Sequence, residues 1–318
     1  MRTLSFEEIK RITFGSVLTE QLEDGIHFHK CTAKQEAAWA SKSDFLGGGA
    51  LTTTGVRLDF VTDSKHLRFD TASGNRFELW INGVLMQQFL MNDYNKENKA
   101  AEWALGEGEK RVTLTFPSHD AGVLSYVALD DGASVRPTEF ARKMLLIGDS
   151  ITQGYNSDYD SMSYAWRTAM YFDADCVIQG IGGAYYAEDT FDDIPFDADV
   201  VTVAYGTNDY GHYKTLEEIS AHAEAYLALV KERFAGKKIF VISPVWRADT
   251  DKPRSSGSFS EVIDAVESAA KKHGLTVISG MSLMPHLSTF MKDGYLHPND
   301  MGFGVYAENL IKALSRAL

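Results

Sequence analysis

The sequence predicts an α/β protein in which a parallel five-stranded sheet, covered by helices on both faces, follows an antiparallel, jelly-roll-like β-sandwich. Its 318 residues are enough for two domains. Apolar and polar residues alternate with a period of two through much of residues 45–130, whereas apolar runs alternate with helix-like stretches from residue 144 onward. We therefore expect a sandwich domain over residues 1–138 and a three-layer α/β/α domain over residues 139–318.

The first half contains short strand patterns that are separated by turn residues. The dipeptide Asn82-Gly83 separates two of them and is a strong signal for a tight hairpin. Several short strands with little helix between them indicate a sandwich, which we expect to be a jelly roll. Residues 131–138 read DGASVRPT and form the expected linker. The strand candidates are residues 56–61, 67–70, 77–81, 84–90, 111–116 and 123–129.

The second half alternates strand and helix patterns, which predicts a parallel sheet with helices on both faces. One helix is expected to begin at the capping box Thr215–Glu218 and another at Ser258–Glu261. A final helix is expected from about Asn299 to the C-terminus. The strand candidates are residues 144–148, 175–179, 199–205, 238–243 and 275–279.

Composition narrows the classes of partner. The chain carries 44 acidic and 31 basic residues, a net charge of −13, which argues against nucleic-acid or anionic-membrane partners. No apolar run reaches the roughly 18 residues of a membrane-spanning helix, and the N-terminal segment lacks the apolar region of a secretory signal. Cys31 and Cys176 are expected to be buried free thiols, and no Cys/His spacing indicates a metal site. We expect a cytoplasmic protein of undetermined oligomeric state.

Residues 144–154, MLLIGDSITQG, contain the most informative pattern in the chain. The apolar run predicts a buried strand that ends at Gly148, and Ser150 follows where a helix is expected to begin. A serine in that position has an exposed hydroxyl and a backbone N–H that can face a developing oxyanion. The alternative is a simple helix cap. Gly183 and Asn208 also lie just past the ends of predicted strands, where ligands bind in parallel sheets.

Four polar or glycine-rich blocks occur in order along the second half of the chain. They are Gly148-Asp149-Ser150, the glycines within residues 180–183, Gly206-Thr207-Asn208-Asp209, and Asp293 with His297-Pro298. Together they resemble the SGNH hydrolase superfamily, also called GDSL esterases and lipases. The resemblance covers roughly residues 140–318 and implies a flavodoxin-like parallel sheet and a serine hydrolase activity.

The resemblance implies a role for each block. Ser150 would be the nucleophile and His297 the base, while the Ser150 N–H, a glycine N–H and the Asn208 amide would bind the oxyanion. Gly183 is favoured as the glycine donor, with Gly180 as the alternative. Asp293 is the candidate triad acid, although three residues separate it from His297 where the family usually has two. Either the loop bulges at Gly294 and delivers the carboxylate, or another acceptor orients His297 and leaves a dyad.

An SGNH domain preceded by a sandwich resembles carbohydrate esterase family 2, which implies removal of acetyl groups from xylo- or manno-oligosaccharides without a cofactor or metal. The remaining hypotheses are a short-chain esterase, lysophospholipase or thioesterase with the same chemistry, and a non-catalytic carbohydrate-binding protein. Tyr185, Tyr210 and Trp246 follow predicted strands and are candidate substrate-binding residues. Packing against neighbouring structure is the alternative interpretation of these rings.

Overall fold

The computed structural model describes residues 1–97 and 99–318. Within these residues, two antiparallel sheets form the sandwich, with strand orders β3-β4-β11-β6-β9 and β12-β5-β10-β7-β8; β1 pairs with β11, and β2 with β5. The prediction of an antiparallel sandwich is therefore confirmed. Its strands are β1 (Arg2–Thr3), β2 (Thr13–Phe14), β3 (Leu18–Leu22), β4 (Gly25–His29), β5 (Arg57–Thr62), β6 (His66–Ser73), β7 (Arg76–Ile81), β8 (Val84–Leu90), β9 (Ala101–Ala104), β10 (Lys110–Thr115), β11 (Val123–Leu129) and β12 (Arg136–Pro137).

The predicted hairpin joins β7 and β8. Asn82 and Gly83 have φ values of 51° and 78°, and Ile81 pairs with Val84 across the turn. Both residues therefore adopt the left-handed backbone conformation that a two-residue hairpin loop requires, and which Asn and Gly tolerate best. The predicted hairpin is therefore confirmed at Asn82-Gly83.

The α/β domain contains a parallel sheet of β13 (Arg142–Gly148), β14 (Ala174–Gly180), β15 (Val200–Ala204), β16 (Lys238–Ile242) and β17 (Thr276–Ile278). Their order in the sheet is β14-β13-β15-β16-β17, so all five predicted strands are confirmed. The chain reverses its direction of winding at β13, which lies between β14 and β15. The carboxyl ends of these three strands meet there, at the switch point where such sheets bind ligands.

Helices cover both faces of the parallel sheet, and the two predicted capping boxes are present at Thr215–Glu218 and Ser258–Glu261. Asn299 caps the last helix, as expected. The helices are α1 (Phe6–Arg11), α2 (Ala33–Lys42), α3 (Asp44–Leu51), α4 (Met91–Lys96), α5 (Ser150–Gln153), α6 (Tyr164–Tyr171), α7 (Asp209–His212), α8 (Leu216–Arg233), α9 (Phe259–Lys272) and α10 (Asp300–Ser315).

The two helices α2 and α3 lie far from the α/β domain in sequence but belong to its core. Trp39 and Leu46 pack in one cluster with Leu145 and Val177 of the parallel sheet, and α8 and α9 cover the same face. The segment between β14 and β15 forms only a short 3₁₀ turn, Glu188–Thr190, where a crossover helix would usually lie. Residue 138, the predicted domain boundary, lies between β12 and β13, and α2 and α3 from the N-terminal side of it pack in the α/β core.

The sandwich also packs its second sheet against the α/β domain. Arg57 of β5 is fully buried, and its guanidinium donates to the Ala174 carbonyl and to Cys176 Sγ. Both cysteines are free and buried, as predicted. Among the described residues, no helix is both long enough and apolar enough to span a bilayer.

Candidate active site

Ser150 lies where the first strand of the parallel sheet gives way to a helix. β13 ends at Gly148. A larger residue does not fit there, because a Cβ would lie 2.0 Å from Thr152 Oγ1 and 2.9 Å from the Ala204 carbonyl oxygen. Asp149 caps α5 by accepting a hydrogen bond of 2.9 Å from the Ile151 N–H. Ser150 is therefore the first residue of a one-turn helix and is only 6% exposed. Ser150 is thus held by the junction of β13 and α5, and this junction fixes the place of its side chain.

Ser150, His297 and Asp293 lie in one line of contacts. Ser150 Oγ is 2.9 Å from His297 Nε2, and His297 Nδ1 is 2.7 Å from Asp293 Oδ2. An ionised carboxylate can only accept, so Nδ1 carries the ring proton and Nε2 is left as the acceptor for the serine proton. This tautomer is the one that a general base acting on Ser150 needs.

The extra residue between Asp293 and His297 is accommodated at Gly294, whose φ is 84°. Asp293 Oδ1 accepts the backbone N–H groups of Tyr295, Leu296 and His297 at 3.0, 2.8 and 3.1 Å, which leaves Oδ2 directed at the imidazole. Burial opposes the charge of Asp293, but these hydrogen bonds outweigh burial and lower the pKa of its carboxyl. The geometry therefore corresponds to the bulged loop and not to a dyad.

The residues 180–183, which we call the glycine turn, approach Ser150 from the end of β14. A Cβ on Gly180 would lie 2.3 Å from the Gln153 N atom, so close packing against α5 explains that glycine. Gly183 has a φ of 79°, and within the described chain its N–H and that of Ser150 donate to no protein acceptor. Both N–H groups are thus available to an oxyanion, which favours Gly183 over Gly180 as the donor.

The Asn208 amide completes the predicted set of donors. Its Nδ2 donates one hydrogen bond of 2.9 Å to the Ala184 carbonyl, just beyond the glycine turn. A primary amide carries two N–H groups, so the second can be directed at a bound oxyanion. Asn208 thereby also connects the end of β15 to the segment that carries Gly183.

Asp149 and Asp209, which lie beside these groups, accept hydrogen bonds from backbone N–H groups. Asp209 Oδ1 accepts the Tyr186 N–H and its Oδ2 accepts the Gly206 N–H, at 3.0 and 2.9 Å. Burial raises the pKa of both Asp149 and Asp209 to about 7. Their hydrogen bonds hold the turns that carry Ser150 and Asn208, which agrees with the prediction that neither acts directly in catalysis.

The aromatic residues that we singled out from the sequence are largely enclosed. Tyr210 is a correction: its ring is 0% exposed, it packs in a cluster with Ile219 and Phe259, and its hydroxyl donates to the Lys252 carbonyl. It therefore has no surface with which to bind a substrate. Tyr210 follows a predicted strand, but the chain turns directly into α7 after Asn208, and this helix places the ring in the core.

Tyr185 and Trp246 each have one face covered. The Tyr185 ring stacks on His212 with a centroid separation of 3.6 Å, and Trp246 stacks on His286 at 5.7 Å. Trp246 also packs against the core of its own domain, rather than against the sandwich. Substrate binding by these two residues stays a prediction, restricted to their uncovered edges.

Three aromatic side chains that the sequence did not single out surround the site. Phe45 of α3 is 68% exposed, and its ring lies 3.2 Å from the position of a Cβ on Gly183. On the other side, the Tyr155 ring is centred 4.8 Å from that of His297 and 5.3 Å from that of His119. Tyr155 could have been found from its place directly after α5, but Phe45 and His119 come from the N-terminal half and carry no local signal.

Asn208→Ala is expected to lower kcat for an acetate ester by about 10²- to 10³-fold, because one donor to the oxyanion is lost. KM should change little, since the ground-state carbonyl carries less charge than the transition state. Steady-state kinetics on a soluble aryl acetate measures both constants. Asn309→Ala is the matched control and should retain wild-type kcat, because Asn309 lies on α10 and its amide donates to the Leu283 carbonyl. Equal effects of the two substitutions would contradict the assignment.

Residues 146–304, half of the chain, match the model of the GDSL-like lipase/acylhydrolase family. No curated protein sequence matches the chain.

Three solved structures are similar over nearly their whole length. A salicylyl-acyltransferase from a tetracycline biosynthetic pathway has 18% identity and a TM-score of 0.78, with 96% of this chain and 94% of that one covered. A putative GDSL-like lipase from Bacteroides ovatus has 18% identity and a TM-score of 0.77, with 99% and 97% covered. A family two carbohydrate esterase from Cellvibrio japonicus has 15% identity and a TM-score of 0.68, also with 99% and 97% covered. At these identities the likeness establishes the fold, including the sandwich that precedes the α/β domain.

Proposed function

Because the chain belongs to the GDSL-like lipase/acylhydrolase family, we propose that it is a serine esterase that removes O-acetyl groups from carbohydrates, with acetylated xylo- or manno-oligosaccharides as substrates. The observation that carries the esterase chemistry is the line from Ser150 Oγ through His297 to Asp293, with separations of 2.9 and 2.7 Å. In this arrangement the base can take the proton of the serine nucleophile while the carboxylate orients the base, which is what acyl transfer to a serine uses.

In the first half of the reaction, Ser150 Oγ attacks the acetyl carbonyl carbon while its proton moves to His297 Nε2. The carbonyl electron pair moves to oxygen, and the N–H groups of Ser150 and Gly183 and the Asn208 amide stabilise the oxyanion. The intermediate then collapses, the bond from carbon to the sugar oxygen breaks, and His297 donates its Nε2 proton to that oxygen. Asp293 stabilises the imidazolium between these two proton transfers.

In the second half, water replaces the sugar. His297 Nε2 takes a proton from the water, whose oxygen attacks the acetyl-Ser150 carbonyl, and the same donors stabilise the second oxyanion. Collapse breaks the bond to Ser150 Oγ, which recovers its proton from His297, and acetate leaves. Every proton and electron pair is accounted for by the residues, the ester and water, so the proposed cycle involves no cofactor.

Two features support a sugar as the leaving group. The Tyr155 ring is 38% exposed and lies beside His297, the residue that must protonate the leaving oxygen. A sugar ring bonded to that oxygen can stack on the tyrosine face. The similar fold of the family two carbohydrate esterase, over both domains, adds support of a weaker kind, by analogy.

One observation favours a second candidate, transfer of the acyl group to an alcohol other than water. Phe45 places an exposed apolar ring beside the glycine turn, where it would cover an acyl group on Ser150 and hinder the approach of water. The similarity to a salicylyl-acyltransferase is consistent with this chemistry. Both candidates share the acyl-Ser150 intermediate and differ only in the second nucleophile.

The test measures acetate release from acetylated xylo- and manno-oligosaccharides, beside aryl esters of increasing acyl length. Tyr155→Ala is expected to lower kcat/KM for the oligosaccharide roughly tenfold, the value of one stacking contact, and to leave hydrolysis of ethyl acetate, whose leaving group has no ring to stack, unchanged. Tyr171→Ala is the matched control, because Tyr171 is exposed at the C-terminal end of α6.

Each other outcome contradicts the carbohydrate proposal in a different way. Turnover of long-chain or thioester substrates without acetate from oligosaccharides would favour the lysophospholipase or thioesterase hypothesis. Oligosaccharide binding without turnover of any ester would favour a binding protein. Products that carry the acyl group on an added alcohol, in excess over free acid, would favour the transferase.

A further inference from the structure

Lys30 is a buried cation at the contact between the two halves of the molecule. Its side chain is 0% exposed. Its ammonium group donates to the Gly49 carbonyl at 2.9 Å and to the hydroxyls of Thr52 and Thr54 at 2.5 and 3.1 Å. The remaining acceptor is the Gly180 carbonyl, 2.9 Å away, at the start of the glycine turn. Lys30 therefore connects the N-terminal half directly to the segment that carries Gly183.

This lysine has no carboxylate partner in the part of the chain that the structure describes. Glu36, the acidic residue whose charge acts on it, instead binds His29 Nδ1 at 2.8 Å. Buried lysines are rare without a pairing charge, because desolvation opposes the ammonium form. Burial accordingly lowers the pKa of Lys30 to about 8. A methionine of similar length would avoid this cost, so the polar contacts of Lys30 need an explanation.

The contacts of Lys30 fall on one end of the glycine turn, and those of Asn208 on the other. The Lys30 carbonyl accepts a hydrogen bond of 2.9 Å from Gln179 Nε2, next to the Gly180 contact. Asn208 Nδ2 binds the Ala184 carbonyl just past Gly183. Between these anchors, the Ile181 N–H donates to the Gly148 carbonyl at the end of β13. The turn is thus held from both ends, with the Gly183 N–H between them.

We propose that Lys30 is a positioning residue for the oxyanion site. Its ammonium group holds the Gly180 carbonyl in place, and this contact directs the Gly183 N–H at the carbonyl oxygen of the acyl group on Ser150. The N-terminal half then helps to position an oxyanion donor, in addition to placing side chains beside the site. This inference rests on the proposed function, since it assumes an oxyanion at this place. It assigns Lys30 no contact with the substrate.

Lys30→Met tests the proposal, because methionine fills the volume and removes the donor. We expect kcat for an aryl acetate to fall roughly 10- to 100-fold, as a small misplacement of one oxyanion donor would cause, with KM nearly unchanged. An arylboronic acid, whose tetrahedral adduct with Ser150 carries an oxyanion, should lose affinity by a similar factor. A purely structural role would lower the melting temperature without this paired loss.

Lys110→Met is the matched control. Lys110 is also buried, and its ammonium group donates to the carbonyl oxygens of Ser64 and Gly106 within the sandwich. Its replacement should affect the melting temperature and leave kcat and the boronic acid affinity at wild-type values. If Lys30→Met does not fold, Lys30→Gln, which keeps an N–H donor without the charge, takes its place and should show a smaller fall in kcat.

The outcomes separate the inference from the proposed function. Wild-type protein that hydrolyses no ester would contradict the function. An active wild type together with a folded Lys30→Met or Lys30→Gln protein of unchanged kcat would overturn the positioning role and leave the function standing. Equal losses of kcat for Lys30→Met and Lys110→Met would overturn it as well.

Discussion

Ser150→Ala is expected to reduce hydrolysis of an aryl acetate by roughly 10⁴- to 10⁶-fold, the range found when a serine nucleophile is removed. The alanine cannot form the acyl intermediate, and the oxyanion donors that remain act only on a direct attack by water. Oligosaccharide binding should persist, because the substitution removes a single oxygen from a residue that is only 6% exposed. Steady-state kinetics and calorimetric binding measure the two quantities on the same preparation.

Ser134→Ala serves as the control for this substitution. Ser134 is a serine whose N–H and hydroxyl bind Asp63 at 2.8 and 2.9 Å, in the connection between the domains. Its variant should hydrolyse the ester at the wild-type rate. If Ser150→Ala retained more than about a tenth of wild-type kcat, well above the residual rates seen without a nucleophile, the assignment of Ser150 would be wrong.

Asp293→Asn is expected to lower kcat about 10²- to 10⁴-fold while leaving the loop folded. Oδ1 accepts three backbone N–H groups at 2.8–3.1 Å, whereas Oδ2 lies 2.7 Å from the imidazole Nδ1 and makes only a longer contact of 3.3 Å with the His297 N–H. Asparagine keeps the first oxygen and replaces the second by an amide donor that faces Nδ1–H. The ring is then driven to the tautomer with the proton on Nε2, which cannot accept the Ser150 proton.

The neighbouring carboxylate provides the control for Asp293. Asp300 lies in the first turn of α10, and its Oδ1 accepts the Asp158 N–H at 3.0 Å. Asp300→Asn should leave kcat unchanged. A small effect at Asp293, no larger than that at Asp300, would indicate a Ser–His dyad in which another acceptor orients the ring. Thermal unfolding of each variant separates two causes of a lower kcat. An unchanged melting temperature indicates a changed His297 tautomer, whereas a lower one indicates a disrupted loop.

The parallel sheet could be predicted because its strands are buried on both faces and therefore appear as continuous apolar runs. Two of its helices begin at capping boxes that can be recognised locally. The burial of the sandwich strand β5 could not be predicted in the same way. Its alternation of apolar and polar residues predicts a half-buried strand, yet Arg57 and Asp59 are both buried. Their face of the sheet is covered by the α/β domain, a tertiary contact that no local pattern contains.

The difference between local patterns and tertiary contacts also decides which parts of the site could be predicted. The groups that follow strand ends could be found from the sequence, since strand ends at a switch point converge whatever the loops do. The contacts of Phe45 and Lys30 with the glycine turn could not be found from the sequence. Both exist because the N-terminal half packs against that turn. The spacing of Asp293 and His297 is compatible with two alternatives, because spacing alone does not specify the path of a loop. In the structure the loop turns at Gly294, with a φ of 84°, and Asp293 Oδ2 lies 2.7 Å from His297 Nδ1.

The measurement that tests the central claim most directly is covalent labelling with a fluorophosphonate, followed by peptide mass spectrometry. A serine made nucleophilic by His297 attacks the phosphorus and expels fluoride, whereas ordinary serines do not react. The account predicts one adduct per chain, on the peptide that contains Ser150, in proportion to the loss of esterase activity, and none in Ser150→Ala. An unlabelled wild-type protein, or an adduct on another residue that accompanies inactivation, would contradict it.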